Sequence, residues 1–196
     1  MKLKKEAFFI HSSSVIDDNV QVGQDTKIWH FSHISKGAVI GADCIIGQNV
    51  FIGNNVKIGN KVKIQNNVSV YEGVILEDEC FCGPSVVFTN VTNPRSWINK
   101  KNDFKETIVR RGSTIGANST IICSNSIGEY SFIGAGSVVT KEVKNNSLVY
   151  GNPAKQIGWI TKEGNKIPLP LIGSGKYQCK ISHDTYYLKN DNLIIE

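Results

Sequence analysis

Branched aliphatic residues recur at every sixth position through the first part of the chain. From Ile10 the run continues as Ile16, Val22, Ile28, Ile34, Ile40, Ile46, Ile52, Ile58, Ile64, Val70 and Leu76. A second series, four residues after most of these positions, carries small or β-branched side chains such as Thr26, Ala38 and Val50. A fixed internal period of six residues is typical of a parallel β-helix.

The period predicts the geometry of this β-helix. Three six-residue sides form a triangular coil, and successive coils stack at the inter-strand spacing of about 4.7–4.9 Å. The aliphatic residues then form ladders inside the prism, each burying a side chain worth about 1.5–3 kcal/mol. Gly follows the aliphatic position at residues 23, 41, 47, 53 and 59, and we expect these glycines to supply positive φ angles at the turns. No apolar run approaches the roughly 18 residues of a membrane-spanning helix, so no membrane contact is expected.

The period breaks once and then returns. After Phe88 the next clear aliphatic position is Ile115, from which the pattern runs to Val139. The polar, basic stretch between them, about residues 89–111, is predicted to be an external loop, and loops of this length are commonly functional. We therefore predict a β-helix domain over residues 1–156 and a C-terminal capping extension over 157–196. In the extension, residues 177–181 and 186–195 are predicted as two strands of a small antiparallel hairpin.

Composition and charge narrow the possible ligands. The net charge of +5 and pI near 8.9 suit polyanions such as nucleotides or coenzyme A. The basic residues are scattered and lack interleaved aromatics, so nucleic-acid binding is not expected. Cys80 and Cys82 fall on inward positions and are predicted to pack as small hydrophobes. Cys179 and His183 are too few for structural zinc, so no metal is expected. The charged segment Met1 to Glu6 has no apolar run after it, which favours a reducing, cytoplasmic setting.

Three sequence strings carry a resemblance to a known family. They are Ile-Trp-His-Phe at residues 28–31, Lys-Ile-Gln-Asn-Asn-Val-Ser-Val-Tyr at 63–71, and Phe-Cys-Gly-Pro-Ser-Val-Val-Phe-Thr-Asn-Val at 81–91, followed by Asn93-Pro94-Arg95. With the terminal Gly-Asn-Pro-Ala-Lys at 151–155, the chain resembles the left-handed β-helix (hexapeptide-repeat) acyltransferases over about residues 10–160. It is most similar to those that acetylate the 3-amino group of a nucleotide-linked sugar, such as UDP-2-acetamido-3-amino-2,3-dideoxy-D-glucuronate, in O-antigen synthesis.

The resemblance implies the fold's handedness, the reaction and the assembly. It implies a left-handed coil, acetyl-CoA as co-substrate, and a homotrimer whose sites lie between subunits. The same chemistry on a dTDP-linked 3-amino-3,6-dideoxyhexose is an open alternative. Outward aromatic residues at positions 29, 31, 51 and 81 also favour a partner surface. In a different class, a non-catalytic ligand-binding or structural β-solenoid would explain neither the basic insertion nor the terminal motif.

Two residues are candidates for catalysis. The amine of such a sugar has a pKa of about 8, so part of it is already neutral at cellular pH. The resemblance places Asn90 beside this amine, where its side-chain oxygen would orient the lone pair and the departing thiolate would take the proton. The alternative for Asn90 is a structural role at the start of the loop. His30 is the alternative base, or else a wall histidine that contacts a neighbour.

The remaining candidates are expected to bind the two substrates. Arg95 matches a phosphate or a sugar carboxylate, and a solvated loop charge is its alternative. Asn66 is predicted to contact the nucleotide sugar or to form an amide ladder. The candidates for substrate binding are Gln65, Asn66, Pro84, Ser85, Phe88 and Arg95, and for Pro84, Ser85 and Phe88 ordinary packing in the wall is the alternative. Those for coenzyme A are Gly136, Ser137, Pro153 and Lys155; the family's terminal motif suggests the last two, for which a plain exit of the chain is the alternative.

Overall fold

The computed structural model describes residues 8–196, so the charged segment Met1 to Glu6 lies outside the described range. The described chain forms only strands and turns, and therefore contains no helix that would cross a bilayer. The strands before the loop are β1 (Phe9–Ile10), β2 (Val15–Ile16), β3 (Gln21–Val22), β4 (Lys27–Ile28), β5 (His33–Ile34), β6 (Val39–Ile40), β7 (Ile45–Ile46), β8 (Phe51–Ile52), β9 (Lys57–Ile58), β10 (Lys63–Ile64), β11 (Ser69–Val70), β12 (Val74–Leu76), β13 (Phe81–Cys82) and β14 (Val87–Phe88). Those after it are β15 (Thr107–Val109), β16 (Thr114–Ile115), β17 (Thr120–Ile121), β18 (Phe132–Ile133), β19 (Val138–Val139), β20 (Ser147–Gly151), β21 (Ala154–Ile160), β22 (Lys166–Ile167), β23 (Gly175–Gln178), β24 (Thr185–Lys189) and β25 (Asn192–Ile195).

The strands up to β20 form a three-sided prism of parallel sheets. Face A contains β1, β4, β7, β10, β13, β16, β18 and β20; face B contains β2, β5, β8, β11, β14, β17 and β19; face C contains β3, β6, β9, β12 and β15. Face C continues through single bridges at Ile127 and Val143. We number the coils from one to eight by their face A strand. The predicted parallel β-helix with an antiparallel extension is confirmed.

The core is the predicted aliphatic ladder. From Ile28 to Leu76 every member is buried, and Cys82 and Phe88 continue the ladder with 0% and 1% exposure. Ile10 and Ile16 in the first coil are only partly buried because a coil covers them on one side alone. Cys80 is also buried, and its burial raises the pKa of the thiol to about 12. The prediction that these cysteines pack in the core is confirmed.

The predicted role of the corner glycines is wrong. Positive φ occurs at the third residue of most corners, as at Asn49 (φ 56°) and Asp43 (φ 58°), and not at the first residue, where these glycines stand. A Cβ added to Gly41 would lie 2.5 Å from the carbonyl oxygen of Gly59 on the next coil. At these particular corners glycine is favoured because the adjacent coil approaches closely, and not because of the φ angle.

The external loop is shorter than predicted. Strand β15 pairs in register with β12, with Thr107 opposite Val74 and Val109 opposite Leu76. Val109 is fully buried and resumes the ladder six residues before Ile115. The loop therefore comprises residues 89–106. Arg110 and Arg111 belong to an ordinary corner of the prism, although their basic side chains made them look like part of the loop in the sequence.

The C-terminal part differs from the predicted hairpin. Strand β21 pairs antiparallel with β20 and runs across the boundary expected near residue 156. Strands β23, β24 and β25 form a three-stranded antiparallel sheet. The segment predicted as one strand over 186–195 is divided by Asn190 and Asp191, whose φ angles of 49° and 55° form a tight hairpin turn. Trp159, Cys179, Tyr186 and Leu188 lie in a second, separate core.

Candidate active site

One edge of the prism carries no formal charge. The corners between faces A and B form this A–B edge, which comprises residues 11–14, 29–32, 47–50, 65–68, 83–86, 116–119 and 134–137. None of these residues is Asp, Glu, Lys or Arg. The outward positions of face B are likewise free of them: Val15, His33, Phe51, Ser69, Val87, Thr120 and Val138. Charged side chains are found instead at the B–C edge and the C–A edge.

The predicted site residues lie on two different edges. His30, Gln65, Asn66, Pro84, Ser85, Gly136 and Ser137 all lie on the A–B edge. Asn90 and Arg95 lie on the B–C edge, at the opposite side of face B. His30 belongs to coil 2 and Asn90 to coil 5, so about 14 Å of stacked coils separate them along the axis. A single protomer therefore does not bring the two catalytic candidates together.

Asn90 is fixed at the start of the external loop. Its side-chain Nδ2 donates a hydrogen bond to the carbonyl oxygen of Glu72 on the coil below, at 3.2 Å. Its backbone carbonyl accepts a hydrogen bond from the amide of Lys105 at 2.8 Å, which closes the loop. Because a carbonyl faces one end of the side-chain amide, that end must be the NH₂ group. Oδ1 accepts no hydrogen bond from the described residues, so a fixed acceptor is available to a ligand.

Thr89 anchors the other side of this corner. Its hydroxyl oxygen accepts a hydrogen bond from the backbone amide of Cys123 on coil 6, at 2.9 Å. Thr89 and Asn90 thus tie the loop to the coils above and below it. In the sequence Thr89 and Asn90 are recognisable only as part of the string 81–91, because their contacts to other coils exist only once the coils are stacked.

Arg95 lies on the exposed part of the loop. Its Nη1 donates to the carbonyl oxygen of Pro94 at 2.9 Å, and no carboxylate of the described residues pairs with it. The other guanidinium donors remain available to an anion. Trp97 nearby is 77% exposed.

His30 stacks on another histidine. Its ring centroid lies 3.5 Å from that of His11 on the first coil. The Nδ1 atom of His11 accepts the backbone N–H of Ser13 at 3.2 Å. His30 is half-buried by these neighbours and is placed to contact a ligand on the A–B edge.

Some of the side-chain amides on coil 4 form hydrogen bonds that stabilise the stacking of the coils. Asn66 Oδ1 accepts the backbone N–H of Gln48 on the coil below at 2.9 Å, and Asn67 and Asn49 bond through their side chains at 3.0 Å. An amide ladder therefore exists, while the Nδ2 of Asn66 and the half-buried Gln65 face outward. Asn66 fits both alternatives considered from the sequence.

Of the three candidate acceptor residues on coil 5, two reach the surface and one does not. Pro84 is exposed and Ser85 is half-buried with a φ angle of 58°, so both reach the surface of the A–B edge. Phe88 is 1% exposed and points into the core ladder of face B. Of the two roles considered for Phe88, acceptor contact is wrong and packing is found, because an inward position of a β-strand cannot reach the outer wall.

The C-terminal coils offer an open surface. Gly136 is exposed, with a φ angle of 71° and no atom within 4 Å of where a Cβ would lie. Ser137 is 0% exposed, and its hydroxyl donates to the carbonyl oxygen of Gly134 at 2.6 Å, so the predicted contact of Ser137 with coenzyme A is wrong because the residue does not reach the surface. Pro153 and Lys155 are exposed at the turn between β20 and β21 and line a cavity of about 320 Å³.

Two residues of this cavity were missed in the sequence. Lys141 and Lys144 line it together with Lys155, around a floor that includes Val139 and Val149. Glu142 also lines the cavity, and the Nζ of Lys144 donates to the backbone carbonyl of Asp191 at 2.6 Å, so Lys141 and Lys155 are the ammonium groups best placed there for a phosphate. The two lysines lie on either side of Val143, where the hexapeptide pattern ends. This position at the end of the prism is the feature of the sequence that could have identified them as ligand-binding candidates. Among residues 8–196, no three side chains of His, Cys, Asp or Glu gather to hold a metal ion.

Fold and sequence together define the class of protein. Residues 19–54 match the family described as bacterial transferase hexapeptide (six repeats), and residues 37–72 and 107–141 match the hexapeptide repeat of succinyl-transferase. The dTDP-3-amino-3,6-dideoxy-alpha-D-galactopyranose 3-N-acetyltransferase of Aneurinibacillus thermoaerophilus is 42% identical over 167 residues, which are 85% of this chain and 86% of the relative. This chain belongs to the hexapeptide-repeat acetyltransferases.

Solved structures support the fold. The GDP-perosamine N-acetyltransferase of Caulobacter crescentus, crystallised with CoA and GDP-perosamine, matches with a TM-score of 0.52 at 21% identity. The match covers 76% of this chain and about half, 55%, of that chain. The UDP-N-acetylglucosamine O-acyltransferase of Moraxella catarrhalis matches with a TM-score of 0.51 at 18% identity, covering 76% of this chain and 74% of that one. At these identities the likeness concerns the fold alone.

Proposed function

We propose that this protein transfers the acetyl group of acetyl-CoA to the 3-amino group of a nucleotide-linked amino sugar. The observation that carries the proposal is the fixed amide of Asn90, whose NH₂ is held by Glu72 and whose Oδ1 remains open. The 42% identical relative, named for this reaction on a dTDP-linked sugar, supports the same assignment.

The reaction requires positioning more than a strong base. A sugar amine with a pKa of about 8 is partly neutral near pH 7. In the proposed reaction Asn90 Oδ1 accepts one amine hydrogen bond and directs the nitrogen lone pair at the thioester carbonyl carbon. The new C–N bond forms as the C–S bond breaks, and the amine proton leaves with the thiolate to give the amide and free coenzyme A. Orientation of this kind supplies several kcal/mol of the barrier, of the order of 7–11 kcal/mol at best.

The uncharged surface of face B is the proposed contact between copies. Depletion of charge and enrichment in aromatic residues characterise the centres of protein interfaces. When three prisms turn face B toward a common axis, the B–C edge of each meets the A–B edge of the next. This packing brings Asn90 and Arg95 of one protomer to the groove lined by Gln65 and Pro84 of its neighbour. The proposed homotrimer therefore reunites the two halves of the predicted site.

Coenzyme A is proposed to occupy the C-terminal part of that groove. The open backbone at Gly136 allows a pantetheine arm to lie close to coil 7. Lys155, with Lys141, provides cationic partners for phosphates at the end of the prism. The order along the edge is then sugar at coils 4 and 5 and coenzyme A at coils 6 to 8.

Two acceptor sugars are proposed, and they differ in the nucleotide, in the substituent at C2 and in a carboxylate in place of a methyl group at C5. The relative's printed activity supports a dTDP-linked 3-amino-3,6-dideoxyhexose. The unpaired guanidinium of Arg95 favours the second candidate, the UDP-linked 3-amino glucuronate, because it would pair with the sugar carboxylate.

A thiol-release assay tests the function and separates the candidates. Purified protein with acetyl-CoA is offered dTDP- and UDP-linked 3-amino sugars and the same sugars without a nucleotide. We expect thiol release with a nucleotide-linked 3-amino sugar and little with the free sugar. No release with any amino sugar would reject the proposed activity, and a monomer by light scattering would reject the shared site.

A further inference from the structure

Aromatic rings gather at the N-terminal end of the A–B edge. The centroids of Phe9 and Trp29 lie 5.6 Å apart, and Trp29 lies parallel to His30 at 6.2 Å and 11°. Phe31 follows, with its ring 6.1 Å from that of His30. Trp29 is 40% exposed and Phe31 is 62% exposed, so part of each side chain is accessible from outside the protomer.

Phe31 occupies a corner position that disfavours it. Its φ angle of 56° lies in the left-handed region, which suits Gly and Asn and is unusual for a bulky side chain. The equivalent corners along the same edge carry smaller residues: Asn49, Asn67, Ser85, Asn118 and Gly136. An exposed aromatic ring at a backbone position that prefers a small residue is best explained by a contact that the ring makes.

We infer that Trp29 and Phe31 form the stacking surface for the nucleobase of the substrate. The inference rests on the proposed function and adds a place for the nucleotide. Base rings stack on aromatic side chains without regard to sequence, since every base has a π face. A nucleobase is favoured over an apolar peptide because the stretch of edge that leads from these rings to the sugar region is polar rather than apolar.

The distance and chemistry along the edge fit a nucleoside diphosphate. Phe31 on coil 2 and Pro84 on coil 5 are three coils apart, or about 14 Å along the axis. Between them the edge presents Gln48, Asn49, Gln65 and other neutral groups, and no carboxylate that would repel a diphosphate. Ribose and diphosphate would then bridge the stacked base to the sugar at coil 5.

Nucleotide binding alone tests the inference, without acetyl transfer. In a Trp97→Phe background, Trp29 and the buried Trp159 remain as fluorophores, and Trp29 alone lies on the A–B edge. Titration with dTMP and UMP is expected to quench this fluorescence in a saturable way, while inorganic phosphate at the same concentrations is expected to have no effect. Phe31→Asn introduces the residue that equivalent corners already carry, so the coil is preserved. We expect it to raise the dissociation constant for the mononucleotide about 10-fold, as loss of one stacking contact implies.

The outcomes separate this inference from the proposed function. Unchanged nucleotide affinity in Phe31→Asn would overturn the stacking surface, even if acetyl transfer is observed. Dissociation of the assembly by Phe31→Asn, seen by sedimentation, would assign the ring to a subunit contact and would also overturn it. Saturable quenching that Phe31→Asn weakens would support the surface even where none of the tested amino sugars is acetylated.

Discussion

The A–B and C–A edges have the same backbone and opposite chemistry. Asn49 on the first and Asp43 on the second occupy the same corner position, with φ angles of 56° and 58°. Yet the C–A edge carries ion pairs, such as Arg111 with Glu79 at 3.0 Å, whereas the A–B edge has no formal charge at all. The inner ladder therefore specifies the coil, and the outer surface of each edge is free to be charged or neutral. The neutral edge is where we place the ligands.

Removing a residue of the inner aliphatic ladder should destabilise the coil on which both edges are built. It is the largest effect on stability that we expect. Ile64 is fully buried in β10 beneath the corner that carries Gln65. Ile64→Ala is expected to lower the free energy of unfolding by about 2–5 kcal/mol, through lost burial and the cavity left behind. Urea unfolding measures this, and Lys63→Ala in the same strand, which removes an outward side chain, is the control. A loss no larger than that of the control would contradict the ladder's role.

Asn90→Ala should separate catalysis from folding. Loss of the oriented acceptor is expected to lower kcat about 100-fold or more, with little change in the urea midpoint. The matched control is Asn125→Ala on the same B–C edge, because its Nδ2 also bonds to a backbone carbonyl, that of Ile122, at 2.8 Å. Unchanged turnover in Asn90→Ala would leave Asn90 with only its structural role in the loop.

Glycine substitutions test whether the two edges are built alike. A Cβ on Gly41 of the C–A edge would lie 2.5 Å from a backbone oxygen, and one on Gly47 of the A–B edge would lie 2.8 Å from the backbone carbonyl carbon of Gln65. Each change to Ala is expected to lower the unfolding free energy by about 1–3 kcal/mol, as overpacking does. If thermal or urea unfolding showed that one edge tolerates alanine and the other does not, the equivalence of the two edges would be wrong.

The charged edge should also show a small pH dependence. The hydrogen bond from Arg111 lowers the pKa of the Glu79 carboxyl below its usual range. A lowered pKa in the folded state stabilises the protein above the usual glutamate value and loses that effect as pH falls through the lowered pKa. Glu79→Gln should therefore be slightly less stable than the wild type near neutral pH and equal to it in acid. An equal difference at both pH values would mean that the pair does not act through ionisation.

The sequence predicted the parts of the molecule that repeat. Ile28, Ile34 and Ile40 each mark one side of the prism, because every side has the same length of six residues and turns the same position inward. The predicted end of the loop was wrong because Thr107 and Val109 belong to one isolated strand among basic residues. A single strand is too short to show a period of six. Phe88 precedes Asn90 by only two residues, yet its side chain points elsewhere because Phe88 occupies the inward ladder position of β14, whereas Asn90 lies beyond the strand, in the corner that begins the loop.

The period of six is enough to predict the prism, its core and the presence of an external loop, because it acts locally at every corner. The tertiary structure was needed to show which corners after the loop join each edge, that the A–B edge is free of charge along its length, and that Asn90 bonds Glu72 through Nδ2 while Oδ1 stays open. The physical reason is that stacking joins distant corners at about 4.7–4.9 Å, so the chemistry of an edge belongs to a vertical column of residues and not to any continuous segment.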